Sequence, residues 1–135
     1  MAFVVDASVA AVWLLSDEAN SVAEAAYARF PDEEAVAPGL WWLEMRNIFL
    51  SNERRGRMNA IKSDRALDLL AGLPIRLDFA AESGALMTLG RKHGLTAYDA
   101  AYLELALREA LPLATLDDAL TRAARAEGVS LIGRG

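Results

Sequence analysis

The chain has 135 residues, one histidine and no cysteine, and its formal net charge is −5. This composition is typical of one globular domain, and it excludes disulfides, a cysteine nucleophile and a zinc site with several histidines, so any metal ion must be held by oxygen ligands. A negative net charge argues against a nucleic-acid-binding protein, but the charge is uneven, because residues 54–62 hold four basic side chains and no acid.

Strand and helix patterns alternate along the chain. A β-branched and aromatic run predicts a first strand at residues 3–5, and a helix follows from about Ser8. Further helices are predicted at about 20–30, 40–55, 59–71, 79–92, 96–110 and 117–127, and further strands at 35–37, 74–77, 113–116 and 129–132. This alternation predicts a single α/β domain over 1–135, a three-layer α/β/α sandwich with a mainly parallel sheet of about five strands.

Two kinds of segment are missing from the sequence. No glycine-rich phosphate-binding loop follows the first strand. The apolar stretch at residues 3–15 contains Asp6, has no basic residue before it, and is shorter than the ~20 residues of a membrane helix. We therefore expect a cytoplasmic protein that does not bind a membrane.

Two aspartates are predicted at strand ends. Asp6 stands within an apolar run, where an unpaired buried carboxylate would cost several kcal/mol, and Asp117 follows another strand. Ligands of parallel sheets bind beyond the carboxyl ends of the strands, which makes both residues site candidates. Either residue could instead cap the helix that follows it, as could Asp118.

Glu44 lies in a predicted helix that is apolar on both faces. The apolar positions are Leu40, Trp41, Trp42, Met45, Ile48 and Phe49. We expect this helix to be buried nearly all round. The Glu44 carboxylate then needs a partner, which is either an arginine such as Arg46 or Arg76, or a cation.

Asp99 is the fourth acid, three residues after Thr96, a spacing that also fits a helix cap. A capping acid can still be a ligand, because its carboxylate points away from the helix end. If Asp6, Glu44, Asp99 and Asp117 converge, their charges repel one another unless a cation neutralises them. Mg²⁺ or Mn²⁺ suits such an all-oxygen site.

The chain resembles the PIN-domain ribonucleases, and in particular the VapC-type toxins of toxin–antitoxin pairs. The resemblance rests on VVDASV near the start, WLEMRNIF in the middle, LTAYDAAYLELA after Gly94 and LATLDDAL near the end. It implies that Asp6, Glu44, Asp99 and Asp117, the acidic quartet, are the catalytic and metal-binding residues. It also implies that Ser8 and Thr115 support the site through hydrogen bonds to those carboxylates, and its T-x-D pattern selects Asp117 over Asp118.

The resemblance further implies an activity and partners. The expected activity is hydrolysis of RNA phosphodiester bonds by a Mg²⁺-dependent endoribonuclease, with Mn²⁺ as a possible substitute. The expected partners are a cognate antitoxin, which would enter an aromatic groove, and a second copy of the chain. The candidate groove residues are Trp41, Trp42, Met45 and Phe49, although their spacing is also typical of core residues. The candidate RNA-guiding residues are Arg54, Arg55, Arg57, Arg91 and Lys92, which could instead belong to a solvated loop and an ordinary helix end.

Two other interpretations remain open at this point. A receiver or an aspartate-nucleophile phosphatase would use a similar sheet. However, the first strand is followed by DAS, without the second acid of those phosphatases, and no lysine follows a late strand as in a receiver. A non-catalytic interaction module could share the fold, but a complete acidic quartet argues against it.

Overall fold

The computed structural model of the protein describes residues 1–15 and 19–134. The strands in this part of the chain are β1 (Ala2–Val5), β2 (Glu34–Pro38), β3 (Ile75–Asp78) and β4 (Leu113–Ala114). The helices are α1 (Ala7–Leu15), α2 (Ser21–Tyr27), α3 (Leu40–Arg54), α4 (Ala60–Ala71), α5 (Ser83–His93), α6 (Ala97–Glu109) and α7 (Asp118–Ala126). Strands and helices thus alternate as the sequence predicts, with two helices between β2 and β3 and between β3 and β4.

The strands form one parallel sheet with the order β3-β2-β1-β4. Alternate residues of β1 point to opposite faces of the sheet, because side chains alternate along a strand. Val4 packs with Met45 and Tyr102 on one face, and Phe3 packs with Val22 on the other. The predicted α/β fold, with helices flanking a parallel sheet, is therefore confirmed.

The sheet is one strand smaller than the sequence suggests. In the described residues, the segment predicted as a fifth strand contributes a single parallel bridge, Leu113↔Leu131. The amide of Ile132 still donates to the carbonyl of Leu113. Gly133 then adopts a positive φ of 74°, which turns the chain away before a ladder can form.

Two further predictions are wrong in detail. Helix α5 begins at Ser83 rather than Phe79, because the Glu82 carboxylate caps it by accepting from the amides of Gly84 and Ala85. Helix α3 is not buried all round, since its outer face leaves Trp42 45% and Leu43 67% exposed. Trp41, Met45 and Phe49 form the buried face of α3, so these three side chains belong to the core.

The carboxyl ends of the parallel strands meet at one edge of the sheet, which we call the carboxyl edge. In spatial order its residues are Asp78 at the end of β3, Gly39 after β2, Asp6 after β1 and Thr115 after β4. The amide of Gly39 donates to the Asp78 carbonyl at 2.9 Å, and the amide of Asp6 donates to the Ala114 carbonyl at 3.1 Å. Main-chain hydrogen bonding therefore continues past the strand ends and fixes these residues relative to one another.

None of the helices in the described ranges combines the length and apolarity that a membrane span requires.

Candidate active site

Asp6 is the most buried member of the acidic quartet, with 5% of its surface exposed. Its Oδ1 accepts hydrogen bonds from Ser8 Oγ at 2.6 Å and from the Val9 amide at 3.1 Å, and its Oδ2 accepts one from Thr115 Oγ1. Burial raises the pKa of Asp6, and these hydrogen bonds oppose the increase. The carboxylate is thus fixed by neutral donors that do not cancel its charge.

Ser8 and Thr115 connect the turn after β1 with the turn after β4. Ser8 Oγ accepts from the Leu116 amide at 3.0 Å, and Thr115 Oγ1 accepts from the Asp117 amide at 3.0 Å. Each hydroxyl therefore donates to Asp6 and accepts from an amide of the turn after β4, which leaves little rotational freedom. These are the hydrogen bonds to Asp6 that the resemblance implied, and their part in catalysis stays a prediction.

Asp117 is the N-cap of α7. Its Oδ2 accepts from the Leu120 amide at 2.7 Å, whereas Oδ1 makes no hydrogen bond within residues 1–15 and 19–134. The capping interpretation is therefore correct for Asp117 and not for Asp118, which is exposed in the first turn. One Asp117 oxygen is held by the helix end while the other stays available to a ligand.

Glu44 is half-buried on α3, and its partner is not an arginine. Its Oε1 accepts a hydrogen bond of 2.5 Å from the hydroxyl of Tyr102 on α6. Burial is the main cause that raises the pKa of Glu44, and the charges of Asp6 and Asp99 raise it further. Glu44 is therefore held by a neutral hydrogen-bond donor, as Asp6 is.

The two arginines proposed for Glu44 lie elsewhere, so that expectation is wrong. Arg46 donates to the Trp42 carbonyl at 3.0 Å, and its guanidinium lies 3.5 Å from the centre of the Trp42 ring. Arg76 binds Glu34 at 3.1 Å and Glu109 at 3.3 Å across the outer surface. Both arginines satisfy local partners, which takes them away from the site.

Asp99 lies in the first turn of α6. Its amide donates to Thr96 Oγ1 at 3.1 Å, so the expected cap at Thr96 is present. Burial raises the pKa of Asp99, and the charge of Asp117 raises it further. The capped helix end thus holds the Asp99 carboxylate within electrostatic range of the carboxyl edge.

Each carboxylate of the quartet interacts electrostatically with two others. The Asp117 charge raises the pKa of both Asp6 and Asp99, and the charges of Asp6 and Asp99 raise that of Glu44. No salt bridge found within residues 1–15 and 19–134 involves any of these acids. The four carboxylates therefore repel one another without a protein cation to offset their charge.

The quartet provides the right donors for a metal ion but not a closed cage. Among the residues that the structure describes, no three acidic, histidine or cysteine side chains already surround one point as metal ligands. Hard divalent cations prefer carboxylate oxygens, and Mg²⁺ usually keeps several waters rather than filling its shell with protein ligands. An open arrangement of carboxylates, one of them Asp117 with an uncommitted oxygen, fits that chemistry.

Tyr102 is the site residue that sequence reasoning missed. It is buried on α6, and burial together with its hydrogen bond to Glu44 raises the pKa of its phenol, so the hydroxyl stays a donor. A signal existed, since Tyr102 stands three residues after Asp99 and so shares its helix face. The amide of Val9 also binds Asp6, but a main-chain donor leaves no mark in the sequence.

The basic candidates fall into two groups. Arg54, Arg55 and Arg57 are exposed at the end of α3, and none of them forms a salt bridge within the described ranges. Lys92 forms a salt bridge of 2.8 Å with Glu127, so its charge is already paired. A helix rises 1.5 Å per residue, so Arg54 lies roughly 15 Å along α3 from Glu44.

An apolar groove lies between α1, α2 and α4. It has a volume of about 740 Å³, and its lining includes Val12, Trp13, Tyr27, Leu69 and Leu73. None of the acidic quartet lines it. The groove is therefore a surface separate from the acidic quartet.

Comparisons with known proteins agree with the fold. The family model described as PIN domain matches residues 3–126. The solved structure of PAE2754 from Pyrobaculum aerophilum is similar, with a TM-score of 0.72 and 22% identity over 91% of this chain and 84% of that one. Mycobacterium tuberculosis VapC20, described as a sarcin-ricin loop cleaving toxin, has a TM-score of 0.60 and 14% identity over 90% of this chain and 94% of its own. No curated protein matches.

Proposed function

Because the PIN domain model matches residues 3–126, the chain belongs to the PIN-domain family, and we propose that it is a Mg²⁺-dependent or Mn²⁺-dependent endoribonuclease. PIN domains are nucleases, which makes hydrolysis of a phosphodiester the first expectation. The observation that carries the proposal is the acidic quartet, in which burial and, to a smaller extent, the neighbouring carboxylates raise the pKa of three members. Repulsion of this kind is relieved when a divalent cation binds.

The four residues of the quartet would have different roles in binding the metal ion. Asp6, Asp99 and Asp117 would be the principal metal ligands, and Glu44 would act through a bound water or a second ion. When bound, a divalent cation lowers the pKa of a coordinated water and offsets the charge on the departing oxygen. Ser8 and Thr115 keep the Asp6 carboxylate oriented through their hydrogen bonds.

Tyr102 has a positioning part in this proposal. Its hydroxyl donates to one Glu44 oxygen, so the second oxygen is left for a water molecule. The three exposed arginines at the end of α3 would draw the RNA backbone towards the site, because clustered positive charge attracts phosphate. This local charge explains how a protein with a net charge of −5 can bind a polyanion.

We further propose that the nuclease is the toxin of a type II toxin–antitoxin pair, acts in the cytoplasm and forms a homodimer. The likeness to VapC20, a protein described as a toxin, supports this assignment. The apolar groove between α1, α2 and α4 is a suitable place for an antitoxin segment, since helical peptides bind such grooves through apolar anchors. Of the aromatic residues first considered for this role, Trp42 is the exposed one.

The decisive experiment titrates the purified protein with Mn²⁺ during an RNA cleavage assay, with and without EDTA. We expect cleavage to rise with Mn²⁺ and to stop when EDTA is added. The melting temperature should rise in the same titration, by the equivalent of about 1–3 kcal/mol near saturation, because an ion that binds only the folded state stabilises it. Cleavage that persists in EDTA, or a melting temperature that does not change when Mn²⁺ is added, would contradict the proposal.

A further inference from the structure

Strongly exposed aromatic side chains are few in the described residues. They are Tyr27, Trp42, Phe79 and Tyr98. The Tyr27 ring packs against two other rings, and the Trp42 ring is covered by Arg46. Phe79 is 81% exposed and has no aromatic or cationic partner within residues 1–15 and 19–134. The exposure of such a large apolar ring needs a physical explanation.

Phe79 lies on the same edge of the sheet as Asp6. It directly follows Asp78, the last residue of β3, and two strand spacings separate β3 from β1 in the order β3-β2-β1-β4. Neighbouring strands are about 4.8 Å apart, so the backbone of Phe79 lies roughly 10 Å along the edge from that of Asp6. A nucleotide next to a phosphate bound at the quartet can reach across that distance.

The Phe79 ring lies against Gly39. A Cβ atom on Gly39 would stand 2.3 Å from Phe79 Cε1, so the ring lies directly against the glycine backbone. The backbone of Gly39 has φ −53° and ψ −30°, which any residue can adopt. The backbone conformation therefore does not require glycine at this position, but the present position of the ring leaves no room for a Cβ atom.

We propose that the exposed ring of Phe79 is a stacking platform, on which one base of the RNA bound at the acidic quartet stacks. Gly39 leaves the space that the ring occupies. This inference rests on the proposed nuclease function and adds a positioning residue to it. Bases stack on aromatic rings without regard to sequence. The two residues that follow the ring are the small Ala80 and Ala81, whereas a protein partner needs a much broader apolar surface than one ring.

The first test replaces the ring. Phe79→Ala should raise the Kd for a short single-stranded oligouridine roughly 5- to 100-fold, and KM should rise by a similar factor while kcat changes little. Ile61→Ala is the matched control, because Ile61 is a large apolar side chain, 64% exposed on α4. In Phe79→Trp, the oligouridine should quench tryptophan fluorescence beyond the change seen in the parent, and an abasic strand of the same length should not.

The second test moves the ring without removing it. Gly39→Ala should reproduce part of the loss, since its new methyl group must displace Phe79. Gly72→Ala is the control, because a Cβ there would meet nothing closer than 3.5 Å. Melting temperatures of all variants would check that the fold is kept.

The outcomes separate the platform from the nuclease proposal. If the parent cleaves RNA and Phe79→Ala has the same Kd and KM, the platform is overturned while the nuclease stands. If Phe79→Ala changes the mass of the assembly in solution but not the Kd for oligouridine, Phe79 is a protein contact and the platform is overturned as well. If the parent neither binds nor cleaves RNA, the nuclease proposal fails, and the platform fails with it.

Discussion

Asp6 and Asp78 are two aspartates at strand ends on one edge of one sheet, and they have opposite electrostatic environments. Both are nearly buried, with 5% exposure for Asp6 and 10% for the Asp78 side chain. Arg108 Nη2 lies 2.6 Å from Asp78 Oδ2 and lowers the pKa of Asp78. Asp6 is bound only by hydroxyls and an amide, and burial raises its pKa. Burial alone therefore does not distinguish Asp78 from Asp6, the proposed metal ligand, but the permanent cation beside Asp78 does.

Arg108 is the centre of what we call the Arg108 cluster, formed with Asp78 and Glu104. Glu104 has a side chain that is 3% exposed, and its Oε2 lies 2.8 Å from Arg108 Nε. The cluster ties α6 to the end of β3, and the amide of Glu82 adds a longer contact of 3.4 Å to Glu104. One buried acid and one nearly buried acid are thus offset by one arginine, which is the arrangement that the acidic quartet lacks.

The largest expected effect is on cleavage when Asp6 loses its charge. Asp6→Asn should lower the rate of metal-dependent RNA cleavage at least 100-fold, because a principal metal ligand is weakened. The melting temperature without metal should not fall, since a neutral amide avoids the cost of burying a charge. Cleavage kinetics and thermal unfolding of the two proteins measure these effects.

Asp78→Asn is the matched control for this prediction. It removes the same charge from the same edge, yet it should keep most of the cleavage activity and lose stability, because the ion pair with Arg108 is broken. Unchanged cleavage in Asp6→Asn, with contaminating nuclease excluded, would contradict the assignment of Asp6. A loss of cleavage in Asp78→Asn equal to that in Asp6→Asn would erase the contrast between the two sites.

Much of this contrast was readable from the sequence because it depends on local patterns. Asp6 interrupts an apolar run and Asp117 follows another, so both strand ends and their shared edge could be predicted. Glu44 is also selected by the sequence; of its two predicted partners the arginine is wrong, and the cation stays a prediction. Tyr102 lies 58 residues away, and the nearby arginines looked more suitable than a phenol in another helix.

The Arg108 cluster could not be predicted for a different reason. Glu104 and Arg108 have the spacing of an ordinary exposed pair on a helix surface, and their burial depends on how α5 packs against α6. Asp78 is 30 residues from Arg108, so no local pattern connects them. The exposure of Trp42 and Leu43 was missed similarly, since an apolar helix does not reveal which of its faces meets the sheet.

The second prediction tests the Arg108 cluster itself. Arg108→Met should lower the free energy of unfolding by about 2–4 kcal/mol, because Glu104 would remain buried with its charge uncompensated. Urea denaturation measures this value. Cleavage should be retained at temperatures where the variant is folded, since none of the quartet contacts Arg108.

A compensating change sharpens the second prediction. Adding Glu104→Leu to Arg108→Met should recover much of the lost stability, because replacing both partners of a buried ion pair by apolar side chains is often neutral. If Arg108→Met were as stable as the parent, the cluster would contribute nothing to the fold and would not serve as the structural counterpart of Asp6.

The smallest predicted effect is a difference in the sign of the pH dependence. The folded-state pKa of Asp78 lies below its usual value of 3.8, so its contribution to stability is present above that value and is lost as pH falls through the folded-state pKa. The deficit of Asp78→Asn, about 1–2 kcal/mol near neutral pH, should therefore shrink in acid. Asp6 has a raised pKa, so its charged form opposes folding at neutral pH, and any advantage of Asp6→Asn should disappear as pH falls. Urea unfolding in EDTA, from neutral to acidic pH, measures the free energy of unfolding of both variants relative to the parent. If this difference changes with pH in the same way for Asp6→Asn and Asp78→Asn, the two aspartates have the same electrostatic environment.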